Sequence, residues 1–83
     1  MPFVYILKTA QGTKYTGSTI NLLRRIEEHM GGLVKSTKGK RPLILYATRE
    51  CETMKEAAFW EKKYKKSLSE IERHIKKGIL KLV

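Results

Sequence analysis

The opening residues constrain the fold most. Phe3-Val4-Tyr5-Ile6-Leu7 is an aromatic and β-branched run, Gln11-Gly12 offers a turn, and Lys14-Tyr15-Thr16-Gly17-Ser18 resumes an extended pattern. That order predicts a β-hairpin, because such side chains fit a pleated, half-buried surface. The pattern leaves the register open. With Tyr5 opposite Tyr15 or Gly17 the two tyrosines share one face, whereas a slip of one residue puts them on opposite faces.

Asn21 then reads as an N-cap, Leu22, Leu23, Ile26 and Met30 form an apolar stripe at helical spacing, and Gly31-Gly32 is a stop. A first helix from Leu22 to Met30 follows. On a helical wheel Arg25 and His29 lie together on one flank of that stripe, while Arg24, Glu27 and Glu28 point away. Leu33 to Arg41 reads as a polar loop, and Pro42 opens Leu43-Ile44-Leu45-Tyr46-Ala47-Thr48, a third and central strand. Thr53-Met54-Lys55-Glu56 is a capping box that starts a second helix through Lys66. Ser69-Glu70-Ile71-Glu72 reads as another, opening a short third helix that Gly78 ends. The order ββαβαα predicts an α+β fold, a small three-stranded antiparallel sheet flanked by helices.

At 83 residues the chain suits one domain over 1–83, with a modest core that buries roughly 60% of the unfolded surface. The single Cys51 permits neither an internal disulfide nor a cysteine-based zinc cluster. No segment has the apolar length of a transmembrane helix and no charged leader precedes Phe3, so the expected compartment is the cytoplasm. Charge says more about partners. Eighteen Lys and Arg against 8 acids give a net charge of +10, which favours nucleic acid over a membrane surface or a ribosome. All 8 acids are Glu, which disfavours chemistry built on an Asp pair.

Glu61 is the least comfortable residue, a carboxylate among Ala57, Ala58 and Tyr64 with Met54 two turns back. A buried charge of this kind needs a cation, an arginine or a proton. The plain alternatives are an ion pair across the fold or a side chain snorkelling at the edge of the stripe. Tyr5 and Tyr15 are ordinary strand residues on their own, and Arg25 and His29 are an ordinary solvated helix flank. As a set they match what phosphodiester cleavage requires: phenols to handle a proton, a guanidinium for developing negative charge, an imidazole, and a carboxylate for a divalent cation. Gly17 lets a phosphate or a side chain approach the second strand closely. Lys62, Lys63, Lys65 and Lys66 lie mostly on the far side of the helix from Glu61, a solvated face also suited to backbone phosphates. Phe59, Trp60 and Tyr64 read as core, and His74 as surface.

The set Phe3-Val4-Tyr5, Tyr15-Thr16-Gly17, Arg25 with His29, and Glu61 resembles the GIY-YIG nuclease family along nearly the whole chain. Gly39-Lys40-Arg41-Pro42-Leu43 and Glu56-Ala57 through Trp60-Glu61-Lys62 resemble its small stand-alone bacterial proteins. The chain departs from the pattern in its first motif, in Thr16 for isoleucine, and in Ser36 where that group has tyrosine. The resemblance implies catalytic roles for Tyr5, Tyr15, Arg25, His29 and Glu61. Glu61 would hold one Mg²⁺ or Mn²⁺, Arg25 would stabilise the transition state, and Tyr5 or Tyr15 would activate water. A phenol's ordinary pKa is near 10, so Arg25 or Lys14 would have to favour the phenolate. Lys14, Lys35, Lys38, Lys40, Arg41, Lys62 and Lys65 are the expected phosphate contacts. DNA comes ahead of RNA as partner, no small-molecule cofactor is expected, and the oligomeric state is open. The rival readings are a nucleic-acid-binding module without turnover and a small basic, ribosome-associated interaction protein.

Overall fold

The computed structural model describes residues 1–83. Strands β1 (Phe3–Lys8) and β2 (Lys14–Thr19) form the hairpin, followed by α1 (Leu22–Met30), α2 (Lys35–Lys38), β3 (Ile44–Glu50), α3 (Met54–Lys66), α4 (Leu68–Lys76) and β4 (Lys81–Leu82). The sheet is antiparallel with order β2-β1-β3-β4. It has four strands, not the expected three, and the element order gains α2 and β4. β3 does lie inside the sheet, between β1 and β4.

Side-chain alternation divides the core into two layers. Val4, Ile6 and Ala47 point to one face and meet Ala57, Tyr64, Ile71 and Leu80 from α3, α4 and the segment after them. Tyr5 and Leu7 point to the other and meet Leu43, Tyr15, Leu22 and Ile26. β1 is therefore buried on both faces, which explains its unbroken apolar run. Where β1 meets β3, Ile6 pairs with Ala47 and Leu7 with Leu45, leaving Tyr46 as a bulge.

Caps explain most helix boundaries. The Asn21 side chain accepts from Arg24 N–H, and Thr53 accepts from Glu56 N–H. Glu56 reaches back to Glu52 N–H, one residue before the expected partner. The second box also moves: Ser67, not Ser69, caps α4 by accepting from Glu70 N–H. Ser67 thus ends α3 and begins α4 with no loop between them. Gly78 ends α4 at φ +75, a left-handed conformation in which Ile79 N–H returns to the His74 carbonyl.

The α1 face differs in detail. Leu22, Arg25, Ile26 and His29 form the inward row, whereas Leu23 is 73% exposed. His29 does not border the buried face; it is the most buried residue of the helix. α2 replaces part of the expected loop because Val34 and Thr37 are buried beneath it, without any side-chain cap. β4 forms because Leu80 is anchored in the core and carries Lys81 and Leu82 alongside Ala47 and Thr48. No helix is long and apolar enough to cross a membrane.

Candidate active site

The hairpin register opposes Tyr5 to Gly17 and Leu7 to Tyr15, so both tyrosines face α1. The Tyr5 ring crosses Gly17 so closely that a Cβ there would lie 2.4 Å from Tyr5 Oη. The neighbour that needs the glycine is thus a side chain. Tyr5 Oη is 2.8 Å from His29 Nε2, and Tyr15 meets the same imidazole edge-on with centroids 5.3 Å apart. His29 Nδ1 is 2.7 Å from Thr37 Oγ1, and Ser36 donates to Tyr15 Oη at 3.2 Å. α2 therefore buttresses both the histidine and the second tyrosine.

Arg25, one turn before His29, donates to Glu28 Oε1 at 3.1 Å and lies beside the Tyr5 phenol. Burial raises the Tyr5 pKa and outweighs the opposing pull of Arg25. The expected phenolate is therefore not the resting state. Lys14 does not help, since its ammonium sits over the Tyr46 ring at 5.2 Å. Burial and the Arg25 charge lower the His29 pKa, so the imidazole is neutral at pH 7.

Glu61 approaches from the other face of the sheet. Ser18, next to Gly17 and pointing toward α3 by alternation, donates to Glu61 Oε1. Lys65 Nζ lies 2.9 Å from Oε2, and Glu61 holds the Lys65 pKa above its ordinary value. Lys65 is thus on the Glu61 side of α3, not the far side. β2 is the outer strand, with Tyr5, Tyr15, Arg25 and His29 on one face and Glu61 on the other, and no hydrogen bond or ion pair joins the two sets. Tyr5 senses the Glu61 charge, and Lys65 senses both tyrosines. A cleft of 340 Å³ is bordered by Ser18, Asn21, Arg24, Arg25 and Glu28, and of the expected catalytic residues only Arg25 lines it.

No three acidic, histidine or cysteine side chains gather as a metal cage. Two carboxylates lie here: Glu28 is paired with Arg24 and Arg25, whereas Glu61, with its side chain 23% exposed, is paired with Lys65 alone and is the better candidate to hold a divalent ion. The donor set fits a hard cation, because Mg²⁺ keeps several waters and accepts one carboxylate with phosphate oxygens. Lys65 would have to swing aside.

The other expected phosphate contacts are spread out. Lys35, Lys38, Lys40 and Lys62 are exposed, but Arg41 folds back, its Nε donating to the Lys38 carbonyl at 3.1 Å and its guanidinium covering Gly32. His74 is only 7% exposed, contrary to its surface reading. It lies 2.6 Å from Tyr64 Oη and 3.0 Å from Glu70, in a cluster completed by Arg49 and Trp60. Sequence reasoning missed Ser18, Lys65 as the partner of Glu61, and Thr37. The first two had signals: strand alternation from Gly17 and an i,i+4 spacing.

A family model described as the GIY-YIG catalytic domain matches residues 1–77. Among relatives, a UPF0213 protein of Desulfotalea psychrophila is 41% identical over 58 residues, 68% of this chain and 53% of that protein. One from Halalkalibacterium halodurans is 42% identical over 60 residues, 71% of this chain and 64% of that protein. The chain thus spans 53% to 64% of the length of these two relatives. The solution structure of the UPF0213 protein BH0048 from Bacillus halodurans is similar with a TM-score of 0.57 and 37% identity, covering 92% of this chain and 84% of that one.

Proposed function

Because this chain belongs to the GIY-YIG catalytic-domain family, we propose that it is a divalent-metal-dependent endonuclease domain. It hydrolyses phosphodiester bonds in DNA or structured nucleic acid, with DNA ahead of RNA. The observation that carries this reading is the cluster of Tyr5, Tyr15, Arg25 and His29 on one face of the sheet, with Glu61 within electrostatic reach of Tyr5 from the other face.

Each residue has a task that its surroundings permit. Arg25, steadied by Glu28, offers a guanidinium to the charge that builds on the phosphate. Tyr5 and His29 handle the proton of the attacking water, and Tyr15, held by Ser36, walls the imidazole. Glu61, aimed by Ser18, would hold one Mg²⁺ or Mn²⁺. Bound there, such an ion supplies Lewis-acid polarisation of a phosphate oxygen. Exposed lysines add affinity without sequence choice.

The Lys65 ammonium at Glu61 favours a second reading, a module that binds nucleic acid without turnover. One experiment separates them. Glu61→Gln is assayed on branched and linear DNA with Mg²⁺ or Mn²⁺. Cleavage should fall by at least about a hundredfold, with DNA affinity nearly unchanged. Stability should move by less than about 1 kcal/mol, because the lost ion pair is partly exposed. Cutting by the variant at the wild-type rate refutes the role of Glu61. Binding by the wild type that never yields product, with either ion, favours the second reading.

A further inference from the structure

Thr37 lies outside every motif, yet its fully buried side chain ends the hydrogen-bond chain that begins at Tyr5. Thr37 Oγ1 is 2.7 Å from His29 Nδ1, and His29 Nε2 is 2.8 Å from Tyr5 Oη. The distances alone do not place the protons, since hydroxyls and neutral imidazole both donate and accept. Counting donors does.

Suppose first that Thr37 donates to Nδ1, so that Nε2–H donates to the Tyr5 oxygen. The phenol proton then needs another acceptor. Arg25 beside it offers only donors, the phenol has no further hydrogen-bond partner, and Tyr5 is 1% exposed. The opposite arrangement leaves no donor stranded. Tyr5 donates to Nε2, Nδ1–H donates to Thr37, and the Thr37 proton points to the Val34 carbonyl at 3.5 Å. Arg25 then faces phenol lone pairs. Buried donors are satisfied in native proteins, which selects this arrangement.

We propose that Thr37 is a positioning residue that fixes His29 as the Nδ1–H tautomer, leaving Nε2 to receive the Tyr5 proton. The consequence for the nuclease reading, on which the functional part rests, is that Tyr5 need not ionise first. When Arg25 turns from the phenol to a bound phosphate, water can take its place at the phenol oxygen, and that water gives a proton to the Tyr5 oxygen while the Tyr5 proton passes to Nε2. One water O–H bond breaks, one Nε2–H bond forms, and hydroxide and imidazolium result.

The test is the ¹⁵N spectrum of the His29 ring in the whole protein near pH 7, for wild type, Thr37→Val and Thr37→Ser. Wild type and Thr37→Ser should show Nδ1 protonated and Nε2 bare, and Thr37→Val should shift the population toward Nε2–H. With Mg²⁺ and DNA, Thr37→Val should lose about tenfold in kcat at little cost in KM, and Thr37→Ser should restore most of it. A wild-type ring protonated at Nε2 overturns the proposal, even if Thr37→Val fails to fold. An unchanged tautomer in Thr37→Val overturns the role of Thr37. Absence of cleavage in wild type beside the expected spectra overturns the nuclease reading and leaves the tautomer assignment standing.

Discussion

A Cβ on Gly17 would lie 2.4 Å from Tyr5 Oη and 2.5 Å from Cζ, because the phenol reaches across β2 to His29. Tyr5 cannot yield easily, since its ring is packed beneath α1 and its hydroxyl is tied to the imidazole. Gly17→Ala should therefore cost about 1–3 kcal/mol as an overpacked site. It should also abolish cleavage while DNA affinity persists, because the lysines lie elsewhere. Denaturant melts and a cleavage assay check this, and a variant that melts and cuts like wild type would mean that Tyr5 is free to move. Residue chemistry was legible only in part. Residue types and spacing brought out Tyr5, Arg25, His29 and Glu61, but not their environments. His29 and His74 read as flank and surface, yet both are buried with both ring nitrogens engaged. A histidine at an inward helical position carries no sequence mark of the partner that makes its burial tolerable. Thr37 was invisible for the same reason, its acceptor and donor both being supplied by the fold.

Among the elements, the strong local signals located most boundaries. Asn21 and Thr53 cap where the sequence places them, and α1 and α3 run over the expected residues. The second box moved because Ser67-Leu68-Ser69-Glu70 is a box as well as Ser69-Glu70-Ile71-Glu72, and the helix starts at the earlier one, where Ser67 accepts from Glu70 N–H. That difference is measurable. Ser67→Ala should lose about 1 kcal/mol, since it removes the α4 cap. Ser69→Ala should lose only a few tenths, since Ser69 is exposed inside the first turn and meets just the Ser67 hydroxyl. Equal losses in denaturant titrations would show that the two hydroxyls share the cap. The missed elements, α2 and β4, are the ones held by tertiary burial. Val34 and Thr37 anchor the first and Leu80 the second, and neither short segment has a propensity or period of its own.

For the molecule as a whole, charge and buried histidines set the response to solution conditions. A net charge of +10 with exposed lysines on several elements implies DNA binding that weakens steeply with salt through counterion release. A titration at rising salt checks it, and a flat curve would mean that the charge has another use. The response to pH follows from the two histidines. Burial lowers the pKa of His29, with Arg25 adding to the effect and Glu28 opposing it. Burial likewise lowers that of His74, where Arg49, Arg73 and Lys77 reinforce the shift and Glu70 opposes it. A histidine whose folded pKa lies below its unfolded value of about 6.5 binds fewer protons when folded. Its contribution is fully present above that value and is lost as pH falls through it toward the folded pKa. Stability should therefore hold steady from pH 8 to 7 and fall from about 6.5 downward, with a slope of at most about 1.4 kcal/mol per pH unit for each histidine. Melting temperatures at constant ionic strength check the wild type. His74→Asn should flatten the slope in part, because His29 remains to titrate. Stability that rises on acidification, or an unchanged slope in the variant, would show that His74 is not held neutral in the folded protein.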